Sequence, residues 1–104
     1  MIHIYEKLKP LLTSLGANNV VKRSETDCTL VIAEFPKDTV LVSLSKGLFK
    51  NVYVAKIVLA SSIGAMPWSC ESLEYSPYGL YVVEGDEEEL LKRIKRKVSL
   101  LLSR

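Results

Sequence analysis

Apolar and polar residues alternate with two different periods along this chain, and the switch between them marks its elements. In residues 2–15, "IHIYEKLKPLLTSL", Ile4, Tyr5, Leu8, Leu11, Leu12 and Leu15 fall on one helical face, with Glu6, Lys7, Lys9, Thr13 and Ser14 elsewhere. Pro10 removes a backbone donor and crowds the carbonyl four residues earlier, so a kink there, or a helix that starts near Lys9, is expected. Gly16 supplies the helix stop.

From Asn19 the period shortens to two. "NVVKR", "CTLVIAEF", "TVLVSLS" and "NVYVAKIVLA" read as strands separated by "SETD", "PKD" and "KGLFK". Residues 28–33 and 52–59 are apolar on both faces, the pattern of a sheet buried on two sides. Two helices cover only one face of so small a sheet, so the other is expected to meet a partner or to remain half exposed. After "SSIGAMPWSC", the segments "ESLEYS" and "LYVVE" read as a hairpin around "PYG".

The last stretch, "DEEELLKRIKRKVSLLLSR", returns to the helical period through Leu90, Leu91, Ile94, Val98, Leu101 and Leu102. Asp86 with Glu89 forms a capping pair at its start. The expected fold is therefore α+β: a two-layer sandwich in a single domain, 1–104. Terminal helices near 2–15 and 87–102 pack on one face of a mostly antiparallel five- or six-stranded sheet.

Composition narrows the function classes. The charge balance of +2 is too weak to imply a nucleic-acid partner by itself. No apolar run approaches the roughly 20 residues of a membrane-spanning helix. The N-terminus lacks the pattern of a signal peptide, and a cytoplasmic protein is expected. Gln is absent and Asn is confined to positions 18, 19 and 51, a depletion that points to a thermophilic source. Two readings of Cys28 and Cys70 then stand open: a disulfide, which that setting allows even inside a cell, and a pair of buried, reduced thiols.

Candidate chemistry is sparse. His3 is the only histidine and sits on the outer face of the first helix, which argues against a catalytic triad, a histidine acid–base pair and a zinc site. The cysteines lack metal-motif spacing, no phosphate-binding loop is present, and Asp27, Asp38 and Asp86 stand at turns or caps. No catalytic, cofactor or metal residues are assigned, and no cofactor is expected.

Three readings remain. The preferred one is a non-catalytic protein–protein interaction module that associates with itself through its sheet, as a symmetric homodimer. Val52, Val54 and Val58 are its candidate contacts, with Leu100, which projects onto the polar side of the last helix. The second is a nucleic-acid accessory protein using Lys92, Arg93, Lys95, Arg96 and Lys97, with Tyr78 stacking on a base. Against it, Glu88–Lys92 and Glu89–Arg93 are helix-stabilising pairs, and acids first with bases last suits the helix dipole. The third is a small-ligand binder or enzyme at Ser61, Ser62, Gly64 and Trp68. Its structural counterpart has Gly64 and Pro67 turning the chain, Trp68 plugging the sheet edge and Cys70 pinning the loop to Cys28.

Overall fold

Short turns between β-rich segments leave each strand little choice but to pair with the next, and the structure follows that logic. It is a computed structural model that describes residues 2–47 and 51–103. In chain order the elements are α1 (Ile2–Ser14), β1 (Asn19–Glu25), β2 (Cys28–Glu34), β3 (Thr39–Lys46), β4 (Tyr53–Leu59), α2 (Ala60–Ile63), α3 (Cys70–Tyr75), β5 (Leu80–Glu84) and α4 (Glu87–Leu102). The strands form one antiparallel sheet in the order β1-β2-β3-β4-β5. Part of the expected turn at 46–50, residues 48–50, lies outside the described residues.

Both terminal helices pack on one face of this sheet, giving the expected α+β two-layer sandwich. Ile4, Leu8 and Leu12 of α1 and Leu90, Ile94 and Val98 of α4 are fully buried against Val31, Val40, Val42, Leu44 and Ile57. The Tyr5 hydroxyl donates to the Val20 carbonyl at 3.2 Å and ties α1 to β1. Lys7 reaches Glu87 at 2.9 Å, joining the two helices. The Asp86 carboxylate accepts from the Glu89 backbone N–H at 3.0 Å, the capping contact expected from the sequence.

Of the two readings of Pro10, the helix that starts near Lys9 is overturned, because α1 runs from Ile2 through Pro10 to Ser14. Pro10 is exposed, and the carbonyl its missing N–H would have bonded belongs to Glu6, also exposed.

The larger departure concerns the other face. Residues 60–76 fold back over it, so much of it is covered by the chain itself. Ile63 of α2 and Leu73 of α3 seal a second, smaller core with Leu30, Leu41 and Val58. "ESLEYS" belongs to α3 and is not a strand. The reason is local: Ser69 caps the helix by accepting from the Ser72 N–H at 3.1 Å, and Leu73 is its one buried residue. A contact between Asp38 and Ser61, whose hydroxyl donates to the carboxylate, anchors the start of the covering segment. Gly79 closes it: a Cβ there would lie 2.6 Å from the Ile57 carbonyl oxygen, and its φ of +101° favours glycine.

Candidate functional site

The covering segment leaves part of the second face open, and strand register determines what is exposed there. Side chains alternate between faces, so Leu41, Ser43 and Ser45 of β3 point together, away from the terminal helices. Three rows cross the sheet on this side. Val58, Leu41 and Ile32 stand opposite one another, and this row lies in the small core or packs against it. The next runs Tyr81, Lys56, Ser43, Leu30; the third runs Val83, Val54, Ser45. Where the rows turn from Leu and Val to Ser and Lys, hydrophobic cover ends and a groove of about 850 Å³ begins.

Ser43, Ser45, Val54 and Lys56 form its floor, with Cys28 at the β2 end. One wall is α3, which contributes Cys70, Glu71, Glu74 and Tyr75; Tyr81 closes the β5 side and the β1–β2 turn, Thr26–Asp27, the far end. The wall is fastened at both ends. Cys70 is joined to Cys28 by a disulfide, the first of the two readings of this pair, with Cα atoms 6.6 Å apart, and its backbone N–H donates to Glu25 Oε1 at 3.1 Å. At the other end the Tyr81 hydroxyl donates to the Glu74 carbonyl at 3.3 Å, and Lys56 Nζ donates to the Ser76 carbonyl.

Lys56 is the unusual member. It is 3% exposed, and its ammonium lies 4.9 Å from the centre of the Tyr81 ring. Burying an ammonium is tolerated only with such partners. Its charge is thus directed into the wall. The lining otherwise carries Glu25, Asp27, Glu71 and Glu74, so the groove presents an acidic surface. Glu25 is engaged with Cys70 and with Arg23 at 3.4 Å. The aromatic rings beside these acids are open to solvent: Tyr75 is 76% and Tyr81 51% exposed.

The residues singled out from the sequence are dispersed. Val58 is fully buried beneath the chain's own covering segment and is therefore removed from any contact surface. Val52 and Val54 are half-buried, Val54 on the groove floor, and Leu100 is 45% exposed on α4. Ser61, Ser62, Gly64 and Trp68 do not line the groove; Ser61 is bonded to Asp38, and Trp68 is 38% exposed.

The basic residues of α4 fan around the helix. Arg93 turns to β5, where it pairs with Glu84 at 2.8 Å and donates to the Val83 carbonyl at 3.2 Å. Lys92 pairs with Glu89 at 3.5 Å, Lys95 and Arg96 are exposed and Lys97 is half-buried. Tyr78 is exposed in the loop from α3 to β5.

The groove itself escaped linear reading, because its floor comes from three strands. The available signal was the polar interruption by Ser43, Ser45 and Lys56 on strand faces that also carry Leu41 and Val58. Among the described residues no group of His, Cys, Asp and Glu side chains is arranged to hold a metal ion, and no helix is long and apolar enough to cross a membrane. Compared with protein-family models, curated proteins and solved structures, the chain matches none.

Proposed function

We propose that the protein is an interaction module that holds a basic segment of a protein partner in the groove on the second sheet face. One observation carries this reading: the groove's surface is acidic and aromatic on a chain whose net charge is +2. Carboxylates beside exposed tyrosine rings attract Lys and Arg side chains by charge and by cation–π contact, and they hasten encounter with a basic partner. Binding is favoured over chemistry because the groove's ammonium and one of its carboxylates are already engaged: Lys56 with Ser76 and Tyr81, and Glu25 with Cys70 and Arg23. A nucleic-acid role for α4 draws less support, since Arg93 and Lys92 face acids of this same chain.

The test is titration with a short labelled peptide of alternating Arg and Leu, followed through backbone amide shifts. Shifts confined to Ser43, Ser45, Val54, Tyr81 and α3 are expected, with none for the same peptide carrying Glu in place of Arg. Glu71→Gln combined with Glu74→Gln should weaken binding about tenfold, a loss of roughly 1.4 kcal/mol. Equal binding of the two peptides, or shifts away from the groove, would remove the reading.

A further inference from the structure

We propose that the basic segment taken by the groove is α4 of a second copy of this chain. The proposal rests on the groove reading above and names its occupant. Among the charges with no ion pair among the described residues are the carboxylates of Asp27, Glu71 and Glu74 at the groove, and the cations Lys95 and Arg96 on α4. They cannot meet within one chain. α3 lies on the second face of the sheet and α4 on the first, with the strands between them.

The arrangement of apolar side chains beside these charges supports the same match. Lys92, Arg96 and Leu100 follow one another at four-residue spacing, so they share a stripe along the outside of α4. Leu100, 45% exposed, is an apolar side chain on that same stripe. The groove offers the complement, with carboxylates on its wall and turn, and Val54, Tyr75 and Tyr81 between them.

The placement also fixes the symmetry. A two-fold dimer satisfying both contacts at once needs the two patches on one side of the molecule, and here they lie on opposite sides. The contact is therefore heterologous, groove of one copy to helix of the next, and each pair leaves one groove and one helix free. Such contacts extend into open chains or close into rings. This differs from the symmetric dimer expected from the apolar strand faces.

The experiment is sedimentation velocity on the full chain with two neutralised variants, E71Q/E74Q and K95Q/R96Q. All four positions are exposed, so both variants should keep the wild-type circular dichroism spectrum. At low salt the wild type should grow past the dimer as concentration rises. At about 1 M salt, where the Debye length is about 3 Å, it should fall to the monomer. Each variant alone should remain monomeric at low salt. Mixed in equal amounts they should form a one-to-one dimer that grows no further, since only one intact groove and one intact helix remain.

A wild type that stays monomeric at low salt and high concentration overturns the proposal. So does an oligomer indifferent to either variant, or a mixture that does not pair. The Arg/Leu peptide separates this failure from that of the groove reading. A monomeric protein that binds the peptide in its groove loses only the second-copy proposal; one that does neither loses both.

Discussion

Beneath α1 and α4, fully buried Ile, Leu and Val side chains from two long helices meet those of the strands in one continuous core. Beneath α2 and α3, the buried core is Leu30, Leu41, Val58, Ile63 and Leu73 alone, under helices of four and six residues. The first face is closed by hydrophobic area, which accumulates with every methylene removed from water. The second is closed by point attachments: the Cys28–Cys70 bond, the Glu25 contact to the Cys70 N–H, and the hydrogen bonds from Lys56 and Tyr81. Attachments hold a wall in place without covering what lies beside it. An accessible groove is therefore found on the second face, next to the thinnest part of the core.

Removing the strongest attachment is the severest test of that contrast. Replacing Cys28 and Cys70 together by Ser opens a crosslink spanning 42 positions, for which the chain-entropy account gives a loss of about 4 kcal/mol. Urea unfolding measures it, and an unchanged midpoint would mean that the small core alone holds α3. Ile94→Ala, in the continuous core, should cost about 3 kcal/mol and lower the whole transition, because close-packed neighbours cannot collapse into the void. Leu73→Ala deletes a side chain that is equally buried but under thin cover. About 2 kcal/mol is expected there, read chiefly as faster amide exchange in α3 with β3 and α4 still protected. Equal exchange throughout the chain would erase the distinction between the faces.

Smaller effects sharpen the account of the first face. Asp86→Ala removes the cap of α4 and should cost about 1 kcal/mol by the same unfolding measurement. The Lys7 ammonium is held above its usual pKa by its hydrogen bond to Glu87 and by that carboxylate's charge. A raised folded pKa stabilises the fold at pH values below the ordinary lysine value of about 10.4, and the contribution is lost as pH rises through the folded pKa. Wild type should thus hold a slight advantage over Lys7→Met at neutral pH that vanishes in strong alkali. A constant difference across that range would mean that the contact between the helices is packing rather than charge.

The same contrast explains what the sequence made legible. α4 announces itself through a long apolar stripe and the Asp86–Glu89 cap, and its observed bounds are the expected ones. The strands do so through alternation and through turns as short as Thr26–Asp27. α3 has only six residues, too few for a helical period to separate from an alternating one, and its helix depends on the Ser69 cap and the bond to a cysteine 42 positions away. Residues 28–33 and 52–59 correctly announce burial on two sides. What the local pattern does not carry is that the second cover comes from residues 60–76 of the same chain, because a linear reading cannot place a loop over a sheet. The groove is illegible for a related reason: Ser43, Ser45 and Lys56 become neighbours only through register.

That register has a further consequence, for the order in which the molecule is made. Every strand pairs only with its neighbours in the chain, so β1 to β4 can grow by successive hairpins, each closing a short loop at small entropic cost, and β5 adds across the longer segment that carries α2 and α3. Topologies dominated by local contacts fold faster than sheets of similar size with distant pairings. The distant commitments are the packing of α1 against α4, of α4 on β4 and of α3 on β2 and β3, with the Cys28–Cys70 bond. The meander can therefore assemble before the last helix arrives. Docking of α4 is then the step that joins the two ends of the chain, and it decides how long the apolar side of a nearly finished sheet stays in contact with water.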